Sequence, residues 1–283
     1  MLTNTSSDRV KRVRRLARRS ARLETGLLLV EGPQACREAA RGGWVVDLYW
    51  TDDAARRLTG IGSAVERGGG RLHEASSSYV DALSAVGQGL VAVARDPWAS
   101  LRAQDHPVRA ALTASRLAEF AAGRPGALVA VFEQIRDPGN AGAVIRAADA
   151  AGADLVAFAD HSADPTAPKV VRASAGSYFH VPVVSVGAVE AVVGQLRALG
   201  LAVFGADSAG TVTLGGPDLP LGGDALAAPL AWVFGNEARG LSPAARKAVG
   251  RLVRIPIFGG AESLNVALAA TLCLYAAAGA RHA

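Results

Sequence analysis

Short apolar runs alternate along the chain with segments whose apolar residues recur at helical spacing. "GLLLVEG" (26–32) reads as a buried strand. "PQACREAARGG" (33–43) reads as a helix, with Pro33 in its first turn and Gly42 past its end. The pattern continues as strand "VVDLYW", a helix through 53–70, strand "RLHEA", a serine-opened helix "SSSYVDALSAV" and strand "GLVAVAR". After residues 96–126, which lack strand signals, a second alternation begins. Strands "ALVAVFEQI", "DLVAFAD", "AVFGAD", "LAWVFG" and "LVRIPI" are interleaved with helices "AGAVIRAADAAGA", "VEAVVGQLRALG" and "SPAARKAVG". Alternation of this kind predicts layered α/β architecture in both halves. The segments become a basic N-terminal helix or arm (1–24), a small α/β domain (25–96), a linker (97–125) and a larger α/β domain (126–283).

Val266 to Ala278 is almost without polarity, which predicts a buried final helix. Asn265 before it and Arg281 after it leave it short of the roughly 20 residues of a membrane span. The first apolar run, "LLLV", is too short for a signal-peptide core, so the expectation is a soluble, cytoplasmic protein. Half of the 283 residues are hydrophobic and only 5% are aromatic, which favours closely packed helices and tight turns. Cys36 and Cys273 sit in apolar helical patterns with no CxxC, so structural thiols are expected. The five histidines are scattered singly, and no metal is expected.

The net charge of +5 is concentrated: "RVKRVRRLARRSAR" (9–22) holds eight cations and no acid, and without them the chain would carry −3. Val10, Val13 and Ala17 recur at helical spacing, which predicts one cationic amphipathic helix. It is either a solvated face or an electrostatic arm for nucleic-acid phosphates, and such concentrated self-repulsion favours the arm. Arg12, Arg14, Arg15 and Arg18 are its candidate RNA contacts, with Arg172 further along.

Three strand-to-helix loops of the second half concentrate Gly, Asn and charge, where parallel α/β sheets bind ligands. "RDPGNAGAVIR" offers Asn140 and places Arg146 in an apolar helix, where an unpaired guanidinium is costly. "VFGNEARGLSP" sets Gly235, Asn236 and Glu237 directly after a strand, and Ser242 with Pro243 at the next helix start. In "GGAESLNVALAA", Ser263 reads as a possible helix cap, and Asn265, inside the first turn, as unnecessary for capping. "GIGSAV" has dinucleotide-loop spacing but lies within a helical pattern and is set aside.

"DPGNAGAVIRAADAAGAD", "VFGNEARGLS" and "IPIFGGAESLNVALAA" resemble, in order and spacing, the three motifs of the SpoU/TrmH family of RNA ribose 2′-O-methyltransferases, in the SPOUT class. "PKVVRASAGSYFHVPV" is similar to the family as well, and "LLLVEGPQACREA" resembles a ribosomal-protein-like RNA-recognition domain. The resemblance implies a deep trefoil knot that binds S-adenosylmethionine through Gly235, Asn236, Ile255, Ile257 and Leu264. It implies catalytic or substrate-positioning roles for Asn140, Arg146, Glu237, Ser263 and Asn265, with Arg146 assisting removal of the 2′-OH proton. It also implies a homodimer acting on structured RNA, foremost large-subunit (23S) ribosomal RNA, where some relatives confer antibiotic resistance. Transfer RNA is the alternative substrate. A base methyltransferase or a non-catalytic RNA-binding assembly protein are the alternative functions.

Overall fold

The computed structural model describes residues 1–54, 59–84, 86–102, 127–236 and 239–282. Most of the expected linker, and Glu237, therefore lie outside the described residues. The chain divides into two compact units, Met1–Ala99 with Thr166–His180, and Ser100–Pro165 with Val181–Ala283.

In the first unit, β1 (Leu27–Glu31), β2 (Val45–Trp50), β3 (Arg71–Glu74) and β4 (Leu90–Arg95) form a sheet of order β1-β4-β2-β3. β4 is antiparallel to both neighbours, and β2 runs parallel to β3. The basic segment folds as two helices rather than one, α1 (Asp8–Arg15) and α2 (Arg19–Thr25). The break is stabilised by buried Arg22, whose guanidinium donates to the Leu16 and Ala17 carbonyls at 2.7 and 2.8 Å. That bond supplies partners for carbonyls a helix end leaves open. Val10, Val13 and Leu16 are the buried stripe, whereas Ala17 is exposed. α3 (Pro33–Arg41), α4 (Ile61–Arg67) and α5 (Ser77–Leu83) complete the run. Of the helix expected over 53–70, of which 55–58 lie outside the described residues, α4 covers Ile61–Arg67, and Gly60 stands before it in the left-handed region at φ +77°.

The second unit follows α6 (Ala99–Arg102). Its strands β5 (Leu128–Glu133), β6 (Leu155–Ala159), β7 (Val183–Ser185), β8 (Ala202–Ala206), β9 (Val212–Thr213), β10 (Leu230–Phe234) and β11 (Leu252–Arg254) form a parallel sheet of order β7-β6-β5-β10-β8-β11-β9. Its central strands are continuous apolar runs, as burial on both faces requires. The helices are α7 (Pro138–Ala150), α9 (Val189–Ala198), α10 (Asp224–Ala227), α11 (Pro243–Val249) and α12 (Val266–His282); α8 (Pro168–Ala173) belongs to the first unit. Val189, Val193, Ala245 and Val249, from α9 and α11, cover the sheet face carrying Val129, Val131 and Val233. The opposite face carries Phe158, Phe132 and Phe234 side by side, with neighbouring ring centroids 5.8 and 5.1 Å apart.

The final helix is not buried all round. Ala270, Cys273, Leu274 and Ala277 face inward, but Leu268, Leu272 and Tyr275 are 59%, 48% and 51% exposed. No helix among the described residues is long and apolar enough to cross a membrane.

Candidate active site

The site of the second unit lies at the carboxyl ends of β5, β8 and β10, the sheet edge where doubly wound folds bind ligands. β10 is fully buried and ends at Phe234; just beyond Gly235, Asn236 pairs with Gly240. The Asn236 N–H donates to the Gly240 carbonyl at 3.0 Å, and the Gly240 N–H returns the bond at 2.8 Å. A Cβ on Gly235 would stand 2.1 Å from the Gly240 carbonyl carbon and 2.2 Å from the Leu241 nitrogen. Only glycine fits that approach. The Asn236 side-chain amide donates to the Gln134 carbonyl at 2.9 Å, tying this loop to the one after β5. Gln134 itself is held at φ +55°, the kind of backbone strain that clusters at functional sites. Buried Glu133 accepts from the Ser242 N–H at 2.9 Å, and Ser242 in turn caps α11 through the Ala245 N–H.

Against this loop lies a cavity of about 270 Å³, whose lining includes Gly235, Asn236, Ile255, Ile257, Ser263 and Leu264. All five residues expected to hold the cofactor thus face one space, and Ser263 joins them. The cavity is concave, walled by Ile255, Leu264 and Val266, and supplied with polar groups by Asn236, Arg239 and Asp207. A cleft that sets apolar walls against several converging polar groups fits a nucleoside-like cofactor, which has an apolar base face and polar ribose and amino-acid parts. Asp207 and Arg246 went unnoticed in the sequence. The Asp207 carboxylate, almost wholly buried, accepts from Arg246 Nε at 2.9 Å and from the Ala209 N–H at 2.9 Å. The available signal was an acid directly after the strand "AVFGA", matching the other strand ends.

Asn140 and Asn265 meet outside the cavity lining. Asp137 caps α7, accepting from the Asn140 N–H at 2.8 Å, and presents Asn140 at the helix mouth. Asn265 Nδ2 donates to Asn140 Oδ1 at 3.1 Å. Asn265 is itself the cap of α12: its Oδ1 accepts from the Ala267 N–H at 2.8 Å and its carbonyl from the Ala269 N–H at 2.9 Å. The capping role given to Ser263 therefore belongs to Asn265. Arg146 lies on the exposed face of α7, not among apolar neighbours, and makes no hydrogen bond or ion pair among the described residues. Six residues separate it from Asn140, about 9 Å along the helix axis.

In the first unit, Arg12, Arg14, Arg15 and Arg18 are exposed. Arg172, on α8, is half-buried and paired with the Glu31 carboxylate. Among the described residues, no group of three His, Cys, Asp or Glu side chains is placed to hold a metal ion.

Comparison with known proteins completes the description. The SpoU rRNA Methylase family model matches residues 127–275, and a model of the MRM3-like substrate binding domain matches residues 7–91. The 23S rRNA (guanosine(2553)-2′-O)-methyltransferase RlmP of Bacillus subtilis (strain 168) is 29% identical over 276 residues, 97% of each chain. The crystal structure of the SpoU methyltransferase AviRb from Streptomyces viridochromogenes with the cofactor AdoMet is 30% identical, with a TM-score of 0.74 over 96% of this chain and 98% of that one. An AdoMet-bound rRNA methyltransferase from Sinorhizobium meliloti is 27% identical, with a TM-score of 0.75 over 98% of this chain and 96% of that one.

Proposed function

Because the chain belongs to the SpoU rRNA Methylase family, we propose that the ribose it methylates lies in large-subunit (23S) ribosomal RNA. The enzyme is an S-adenosylmethionine-dependent RNA ribose 2′-O-methyltransferase. The observation that carries the substrate is the likeness to the Bacillus subtilis 23S rRNA enzyme, which spans both units and not the catalytic one alone. The substrate-binding-domain match at residues 7–91 supports it. A cytoplasmic location goes with this proposed substrate.

When bound, S-adenosylmethionine supplies a methyl group already activated by its sulfonium. The chain's own task is alignment and removal of one proton. Gly235, Asn236, Ile255, Ile257 and Leu264 hold the cofactor, through apolar walls and the tight backbone turn. Ile255 and Leu264 come from the last stretch of chain yet share the cavity with the Gly235 turn, which supports the trefoil knot. Asn140 and Asn265, already hydrogen-bonded to each other, hold the ribose and its phosphate together with Ser263, which lines the cavity, and Glu237. Arg146 assists departure of the 2′-OH proton. Its guanidinium is open to solvent, so an RNA phosphate next to the ribose can pair with it and hold the 2′-OH in place. Arg146→Ala should abolish turnover while cofactor affinity stays native; near-native turnover would remove the role.

The active form is a homodimer. Leu268, Leu272 and Tyr275 are one exposed stripe at i, i+4 and i+7 of α12, and Phe258 beside them is 95% exposed. A second copy covers this stripe. Leu272→Glu should give a monomer by light scattering at micromolar concentration; a persistent dimer would place the interface elsewhere. The substrate is tested with labelled S-adenosylmethionine and unmodified 23S, 16S and transfer RNA in parallel. Label confined to 23S RNA is expected, and label in transfer RNA alone would overturn the choice.

A further inference from the structure

The first unit contains a second cavity, of about 350 Å³, between α1–α2 and the sheet face beneath them. It falls in the range of about 300–1,000 Å³ typical of small-molecule clefts. Resting on the RNA substrate proposed above, we propose that this cavity receives one unpaired nucleotide of that RNA, base inside and phosphate at the rim.

The chemistry of its walls is that of a nucleotide rather than of a bare anion. Val13, Leu16, Leu27 and Val93 make an apolar floor, which suits the face of a base and not a phosphate. α1 spends Val10 and Val13 on the core, as the chain does Leu16 just after it, and the helix turn sets Arg12 and Arg15, both exposed, at the cavity edge. Guanidinium groups so placed bind phosphate oxygens and stack on unpaired bases. Arg15 has only a 3.7 Å contact with Glu24, both side chains more than 60% exposed, a pairing that contributes little and that a phosphate can displace.

One wall is polar and fixed. Asp47 accepts from His73 Nε2 at 2.8 Å and from Arg71 Nε and a terminal nitrogen at 3.0 and 3.2 Å. With Nε2 donating to Asp47, His73 Nδ1 is the acceptor for the Arg9 guanidinium at 3.3 Å. Tyr49 stacks on that imidazole, ring centroids 5.0 Å apart, and holds it in place. A carboxylate has about four lone-pair sites, and three are used here, leaving one for an N–H on a base edge. Arg71 already neutralises this carboxylate, so the nucleotide's direction is set by the exposed Arg12 and Arg15 at the rim, which take the phosphate.

The test uses the full-length protein with its cofactor cavity filled by S-adenosylhomocysteine. Binding of each ribonucleoside 5′-monophosphate, and of ribose 5-phosphate, is followed by saturation-transfer NMR. At least one nucleotide should bind ten or more times tighter than ribose 5-phosphate. Exposed Thr25, which lines the cavity, is changed to tryptophan to fill it without altering charge; Thr25→Trp should abolish nucleotide binding and raise KM for RNA about tenfold at native cofactor affinity. Arg12→Gln/Arg15→Gln, on the surface and safe for folding, should weaken nucleotide binding at least tenfold. Ribose 5-phosphate binding as tightly as every nucleotide, or nucleotide binding and KM unchanged in both variants, would overturn the pocket. Absence of methyl transfer to any RNA by the native enzyme would overturn the proposed substrate instead, while the mononucleotide result would still decide the pocket.

Discussion

Gly235→Ala is the sharpest perturbation the site offers. Gly235 does not occupy the left-handed region, so alanine meets no conformational penalty there. The cost is steric, with three backbone atoms of Gly240 and Leu241 within 2.2 Å of the new methyl group. Backbone cannot swing aside as a side chain can, so Gly240 and Leu241 must move away from Asn236. That movement breaks the two reciprocal hydrogen bonds, at about 1 kcal/mol each. Overpacking strain adds about 1–3 kcal/mol. Together these come to about 3–5 kcal/mol, and about 3 kcal/mol of it expressed at a wall of the cofactor cavity corresponds to at least about a hundredfold weaker binding. Titration calorimetry with S-adenosylmethionine measures it directly. Gly240→Ala is the control: its φ of +65° costs about 1–2 kcal/mol, but its nearest new contact is the Asp207 carboxylate at 3.3 Å. Gly235→Ala should therefore be the more damaging of the two. Native cofactor affinity in Gly235→Ala, with an unchanged melting temperature, would refute the packing argument.

Asn265 separates stability from chemistry. Asn265→Ala removes the α12 cap, costing about 1 kcal/mol and about 2–4 °C of melting temperature, whereas Asn265→Asp keeps the cap but loses the donor to Asn140. Calorimetry should find the aspartate variant near-native while its methyl transfer falls at least tenfold; equal melting losses in both would refute the capping role. Asp207→Ala strands Arg246, and because that arginine is 40% exposed the loss is held to about 1–3 kcal/mol, readable by urea denaturation. Burial pushes the Cys36 thiol up to about 12 and raises Cys273 likewise, so at pH 8 the reactive thiolate is scarce. A thiol reagent should label neither cysteine until denaturant is added, and rapid labelling of the native protein would contradict their burial.

The sequence made the long apolar strands and the capped helices legible, because β5, β6 and β10 are unbroken hydrophobic runs and Pro138 and Pro243 mark helix starts. β7 and β9, at three and two residues, are too short to carry a pattern, and the six-residue α8 is too short to show helical periodicity, so Thr166–His180 gave no sign of joining the first unit. Arg146 looked costly in an apolar helix because its neighbours on the outer face of α7 include Ala143, Ala147 and Ala150, which resemble core residues, although that face also carries Asp149. α12 failed in the same way, since its outward face is Leu268, Leu272 and Tyr275 and offers no polar period. Asn265 escaped as a cap because the preceding glycine-rich stretch fixes no helix start. Asp207 escaped because a lone acid after a strand is common, and only folding sets it against Arg246.

The central claim is that the methyl group reaches a ribose oxygen. The most direct measurement is nucleoside mass spectrometry of unmodified 23S RNA after incubation with the enzyme and isotopically labelled S-adenosylmethionine. The account predicts one labelled nucleoside whose methyl group stays with the ribose when the base is cleaved away. A label that leaves with the base would contradict it.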